Sequence, residues 1–498
     1  MNVNPITRLD YPDPDVIRVE DTYYMVSTTM HFMPGCEILQ SFDLVHWEHV
    51  TYVYETLDHT DAQQLKSGQN IYGQGMWAAS LRYHEGRFYI CFVANDTRKT
   101  YLYTSEKIDG PWKKQLIEGF YHDGSLLFDE DGRNYIVYGN DEIWITELNE
   151  DLTAPKKDGL HRLLVSDHKN PELGYEGSHI QKINGYYYIF LIHSLRDRWM
   201  RTEACFYSDS LEGEFTGGDV LCDDRGYCGQ GVAQGGIVDT PDGKWYAMLF
   251  QDSGAVGRIP ILVPVTWKDH FPVFGQNGHV PEEIEVHSTR PGYIYQPLVG
   301  SDDFCNGLLP RWQFNHDPDP RYYHLDALQG TYTITTREVC TELTQAVNTL
   351  TQRMSYPSCA AEVTVDASAL KEGDVAGLCA LQSCYAAVGI TKHHGKYEVL
   401  MLDKKEDGIL DMTDGTVVES HQMDFRLEAD FCNMKDEARC YYRVNKGDWL
   451  PIGTVHKLYF KLDHFTGCRF GLFCYAAEET GGSACFRDFK YYDVDEIS

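Results

Sequence analysis

Residues 183–192 read INGYYYIFLI: an Asn-Gly turn, three tyrosines, then an apolar strand-forming run. The same grammar returns in VEDTYYMVST (19–28), HEGRFYICFV (84–93), DEDGRNYIVYG (129–139) and PDGKWYAMLF (241–250). Each copy is a polar turn that feeds a short segment of aromatic and β-branched residues, the composition of a hairpin entering a buried strand. Aligned on the turn-side aromatic, the copies fall at Tyr24, Tyr89, Tyr135, Tyr188 and Tyr246, with spacings of 65, 46, 53 and 58 residues. Five copies at a period of roughly 50 residues match a β-propeller with one four-stranded blade per copy. QSFDLVHW (40–47), YTSEKIDGPW (103–112) and YSDSLEGEF (207–215) form a second echo. Each is a serine-led turn closed by an aromatic, the look of a repeated outer hairpin. Helical periodicity is weak throughout, which argues against an α/β barrel. A large non-repeating β-sandwich is the competing arrangement.

Past this repeat the texture changes. At 498 residues the chain is too long for one hydrophobic core. A stretch with Pro291, Gly292, Pro297 and Gly300 and no acidic residue, over 286–300, reads as a linker between a propeller (1–285) and a second unit (301–498). The second unit again carries strand-like segments: GTYTITT (330–336), AAEVTVD (360–366), YEVLML (397–402), KLYFKLD (457–463) and CRFGLFCY (468–475). Without the turn-aromatic repeat they predict a jelly-roll-like β-sandwich. The fold class is all-β.

Composition narrows the partners. Lys plus Arg total 43 against 75 Asp plus Glu, a net charge of −32 that repels nucleic acid and anionic membrane and favours a neutral substrate. The 34 tyrosines and 9 tryptophans suit flat, stacking ligands. The 15 cysteines show neither CxxC pairs nor zinc-ligand spacing. The N-terminal residues carry no basic start and no apolar run, so a cytoplasmic protein is expected.

Three carboxylates recur at equivalent places in the repeat. Asp13 is clamped between Pro12 and Pro14 in YPDPDVI (11–17). Asp123 stands in HDGSLLF (122–128), and Glu176 in YEGSHI (175–180). Each lies beside Gly or Pro, just ahead of an apolar strand and its turn. Prolines restrict the backbone around Asp13, while Gly124 and Gly177 allow close approach of a ligand. Taken singly, each acid reads as a turn or capping residue. Three in register place three acids around one pore. Like charges in a narrow site raise one another's pKa, so one group donates a proton while another accepts it. Glycoside hydrolysis needs that division of labour. A metal cage is the competing chemistry, but two Asp and one Glu without nearby His ligands support it thinly; no metal is assigned.

With these motifs in order, the chain resembles the family 43 glycoside hydrolases over residues 4–275. DDFCNGLLPRWQFNHDPDPRYY (302–323) resembles the opening of the β-sandwich that follows the propeller in that family's xylosidase and arabinofuranosidase branches. The resemblance implies an inverting enzyme. It makes Asp13 the general base, Glu176 the general acid and Asp123 the residue that orients the acid. Inversion demands a base and an acid roughly 6.5–9.5 Å apart. Phe32 and Trp77 (in MWAAS, 76–80) would stack on the sugar, and Arg258 (in GAVGRIP, 254–260) would hydrogen-bond its hydroxyls. Their ordinary readings are core packing and a surface salt bridge. His179 and His193 read equally as structural histidines. Where close relatives carry a histidine before QGGIVDTPDG, this chain has Ala233, which removes a donor for a central cation and leaves Gln234 to make polar contacts. No cofactor is expected; a structural calcium near Asp303 or Asp488 rests on family analogy alone. The implied substrate is a neutral arabino- or xylo-oligosaccharide losing a terminal pentose, with α-L-arabinofuranose ranked before β-D-xylose. The alternative is a non-catalytic sugar-binding propeller. The sandwich is expected to bury an apolar face against the propeller; it either closes one side of the pocket or, as an appended domain, serves as a passive stabiliser, the reading ranked first.

Overall fold

The computed structural model describes residues 4–413 and 415–493, and among them it contains strands and short 3-10 turns but no α-helix. The repeat is a five-bladed propeller. Four blades are antiparallel four-stranded meanders whose innermost strands are Asp15–Val19, Met76–His84, Ser125–Phe128 and Glu176–Ile183. In the fifth, Val232–Ala233 and Ile237–Asp239 share the innermost place against Trp245–Asp252. The five aligned aromatics occupy one structural position. Tyr24, Tyr89, Tyr135, Tyr188 and Tyr246 lie directly across from the innermost-strand residues Ile17, Arg82, Leu127, Gln181 and Val238. The serine-led turns join third strands to fourth strands, as at Gly35–Ser41 to Glu48–Tyr54.

Each blade packs on two neighbours, so its strands are apolar on both faces and read as continuous runs. One apolar layer fills each gap: Ile38 meets Ile90 between the first two blades, Leu102 meets Ile136 next, then Val137 meets Ile189, Phe190 meets Leu249, and Met25 meets Met248. The ring is closed by the N-terminal segment. The Asn4 amide donates to the Leu262 carbonyl at 2.8 Å and accepts the Leu262 N–H at 2.9 Å, and the Ile6 N–H bonds the Pro260 carbonyl.

The second unit is a β-sandwich of a nine-stranded and a seven-stranded sheet around a core that includes Leu378, Val388, Phe425 and Phe470. Its larger sheet does not end within the unit. Phe32–Met33, from the first blade, pairs with Gln313–Asn315 as an added edge strand. Buried charge ties the halves together as well. Arg353 of the sandwich reaches Glu37 at 2.9 Å, the Tyr11 hydroxyl at 3.2 Å and the Asp10 carbonyl at 2.9 Å. Burial works to raise the Glu37 carboxyl, but Arg353 and His49 outweigh it and hold the group at about 2. Removing either member of such a pair leaves a buried charge uncompensated, at a cost of about 3–5 kcal/mol. One expected strand is absent: in 457–463 the strand ends at Lys457, and the chain then runs as a loop to Arg469. Its sequence alternates like a strand, but the loop packs against the propeller instead of a sheet neighbour.

Candidate active site

All five innermost strands begin on the same face of the ring, so residues at those starts converge on one end of the central channel. There Asp13, Asp123, Glu176, Trp77, Gln234 and Arg258 line a single cavity of about 300 Å³. That volume lies at the small end of ligand pockets, sized for one sugar ring. The backbone around it is strained: Asp13, Asp123 and Gln234 have φ of 52°, 48° and 62°. Non-glycine residues hold such angles only where their surroundings compel them. At Asp13 the compulsion is visible. Its carboxylate accepts the Thr28 hydroxyl at 2.6 Å and an Arg258 N–H at 3.0 Å. Gln234 is held by its own N–H, donated at 2.7 Å to Glu203, a fully buried carboxyl that burial pushes well above the usual range. Gly177 has φ of 65°, and a Cβ there would stand 2.7 Å from the Gln234 side chain, so no larger residue fits.

The acids form one electrostatic unit. The Gly177 N–H donates to Asp123 at 2.9 Å, and the Asn140 amide donates to Glu176 at 2.8 Å. The imidazole Nε2 of His122 lies 3.4 Å from Asp123 Oδ2 and 3.5 Å from Glu176 Oε2. Burial raises the Asp123 carboxyl, the His122 charge opposes it, and Glu176 and Asp13 add to the rise; the balance is about 6. For His122, burial works against the charge, but Asp123, Glu176 and Asp13 outweigh it and lift the ring to about 9. At neutral pH an imidazolium therefore sits between two of the three acids.

Three expected residues lie elsewhere. Phe32 belongs to the interdomain sheet, with the Arg469 guanidinium 3.4 Å above its ring, and it packs with the sandwich residues Leu343 and Phe473. Pairing with Asn315 turned this ring away from the channel. His179 sits below the cavity, bonded to Asp15 at 3.1 Å, and His193 is held by Asp219 at 2.7 Å. The residues missed from sequence are His122, Asn140, Leu173, Trp199, Arg201, Leu462 and Phe465. His122 adjoins Asp123 in its motif and was open to notice. Leu462 and Phe465 come from the sandwich loop, so that domain closes one wall of the cavity instead of serving only as a stabiliser. Phe465 covers Arg258 at 4.2 Å and accepts its Nη2–H at 3.4 Å.

Ala233 is buried among Ile192, Phe250 and Leu173 and offers no ligand atom. Asp302, Asp303 and Asp488 do line one surface cleft. Asp302, however, spends both oxygens on the Phe304 N–H and the Trp312 indole, and Asp303 caps the Cys305 N–H. Among the described residues, the one group of three His, Cys, Asp or Glu side chains whose ligand atoms come within 4.8 Å of one another is His122, Asp123 and Glu176.

Comparison with known proteins agrees with this geometry. The model of glycosyl hydrolases family 43 matches residues 3–272, and that of the beta xylosidase C-terminal Concanavalin A-like domain matches 301–492. A bifunctional GH43-CE structure from Bacteroides eggerthii is 42% identical, with a TM-score of 0.92; the match covers 98% of this chain and 63% of that longer one. A beta-xylosidase of Formosa agariphila is 26% identical over 99% of this chain and 89% of its own length. A non-reducing end alpha-L-arabinofuranosidase of Bacteroides ovatus is 24% identical over 82% of this chain and 79% of its own.

Proposed function

This chain belongs to glycosyl hydrolases family 43, and from that premise we propose that it removes terminal pentoses, α-L-arabinofuranose or β-D-xylose, from arabinoxylan-derived oligosaccharides with inversion. The observation that carries the reading is the shared cavity: three acids, Trp77 and Arg258 on its walls, with room for one ring. Relatives named for each of the two sugars support keeping both.

Asp13 acts as the base. Its ion pair with Arg258 supplies a countercharge, and the Thr28 hydroxyl fixes the second oxygen, so the carboxylate is aimed before water arrives. Glu176 protonates the departing oxygen, positioned by Asn140. Asp123 binds the Gly177 N–H, the peptide next to the acid, and so orients the strand start that carries Glu176. Trp77 offers an apolar face to the ring. Arg258 is committed to Asp13 and Phe465, so its part is to position the base. The enzyme acts on neutral oligosaccharides in the cytoplasm; a surface of −32 and 15 cysteines, none in a disulfide, fit that setting.

The test is a panel of p-nitrophenyl pentosides and arabino-xylo-oligosaccharides, with proton NMR of the first-formed anomer. Release of pentose with inverted configuration is expected, lost in Asp13→Ala and Glu176→Ala while sugar binding persists. Absence of release from every substrate, or a product of retained configuration, refutes the proposal.

A further inference from the structure

We propose that His122, Asp123 and Glu176 also form a binding site for one Zn2+ ion, and that filling it blocks hydrolysis. The ion-binding half stands on geometry alone; the inhibition rests on the reading of Glu176 as the acid.

Zinc takes imidazole nitrogen at about 2.0–2.1 Å and carboxylate oxygen at about 2.0–2.2 Å, and tetrahedral angles then set ligand atoms roughly 3.4 Å apart. His122 Nε2 stands 3.4 Å from Asp123 Oδ2 and 3.5 Å from Glu176 Oε2, and the three residues each offer a ligand atom within 4.8 Å of the other two. A second observation points to a ligand. His122 Nε2 is buried and makes no hydrogen bond of good geometry; only charge attraction at 3.4 and 3.5 Å holds its proton between the two carboxylates, and a zinc ion would take that proton's place, releasing it to water. Both carboxylates are already oriented by further contacts, Asp123 by the Gly177 N–H and Glu176 by the Asn140 amide, as outer contacts orient the ligands of built metal sites. Three protein ligands facing a cavity leave a fourth position for water. The donor set selects the metal class. One imidazole with two carboxylates suits zinc, cobalt or nickel, whereas calcium takes six to eight oxygens. An ion here occupies Glu176 Oε2 and takes the acid out of the reaction.

The test uses the full chain, dialysed against EDTA, with the exposed thiols of Cys222, Cys228, Cys305 and Cys432 capped by iodoacetamide to remove competing ligands. Calorimetry with Zn2+ is expected to show one tight site, weakened at least about a hundredfold in His122→Gln. Co2+ should give the intense visible absorption of low-coordinate cobalt in the unmodified chain and not in the variant. Crystals of the unmodified chain soaked in Zn2+ should place the anomalous peak within bonding distance of His122 Nε2, a readout independent of the variant's folding. Zn2+ should inhibit pentoside hydrolysis, with the free pentose protecting. Equal affinity in His122→Gln, or an anomalous peak elsewhere, overturns the site. One bound Zn2+ with hydrolysis undiminished overturns the inhibition. EDTA-treated chain that binds Zn2+ at this site but never hydrolyses a glycoside overturns the functional reading, and the metal site survives it.

Discussion

Replacing Phe465 by alanine tests whether the sandwich is part of the catalytic site. The ring sits 4.2 Å from the Arg258 guanidinium and 5.7 Å from Trp77, while Arg258 holds Asp13 at 3.0 Å. A cation–π contact away from solvent contributes about 1–2 kcal/mol. Without the ring, Arg258 gains water and rotational freedom, and the base it positions loses its fixed aim. If that energy is realised in the transition state, kcat/KM falls by roughly 5- to 30-fold, taking 1.36 kcal/mol per decade. The cost to folding should be small, because the ring is half-buried on a loop and lies outside the apolar core of the sandwich. Phe465 also has φ of 55°, a strained angle that glycine relieves. Phe465→Gly should therefore match the activity loss of the alanine variant at a higher melting temperature. The assay is kcat/KM on an aryl pentoside beside a thermal melt. A kcat/KM within about twofold of the parent refutes the reasoning, as does a loss that merely tracks the unfolded fraction.

Asp13→Asn and Glu176→Gln should each lower kcat by about 10²- to 10⁴-fold, the range of a lost proton-transfer group, with KM little changed in steady-state kinetics. Phe32→Leu should leave KM for pentosides unaltered yet lower stability by about 1–2 kcal/mol in urea melts, because the ring packs between the domains; a raised KM returns it to the sugar site. The buried His31, His316 and His464 should make the domain interface acid-sensitive. Burial holds all three rings below their ordinary value of 6.5, His464 at about 3, so the folded chain binds fewer protons than the unfolded one between those values. Their contribution is complete above pH 6.5 and declines as pH falls, by about 2 kcal/mol at pH 5 for His464. His464→Phe keeps the stack on Tyr72, centroids 3.9 Å apart, and should lessen, without abolishing, the fall in melting temperature from pH 7 to pH 5; an unchanged slope refutes the assignment.

The propeller was legible because its signal is local and repeated. A polar turn and an aromatic strand recur five times, and each copy forms its hairpin from contacts a few residues away, so Tyr24 to Tyr246 could be aligned without knowing which blades touch. The three acids were legible for the same reason: each stands at the start of its own innermost strand or two residues ahead of it, and strand starts on one face of the ring share one end. Nothing comparable marks Phe465. It lies two residues past the segment 457–463, which reads as a strand, and a contact with Arg258, 207 residues away, leaves no trace in neighbouring letters. Phe32 failed in the opposite direction, since the family resemblance alone pointed it to the channel while pairing with Asn315 carried it into the interdomain sheet. Chain-local chemistry thus determined the blades and their acids. Which domain closes the cavity was decided only where the surfaces of the two units meet, because burial between them depends on shape and distance rather than on sequence order.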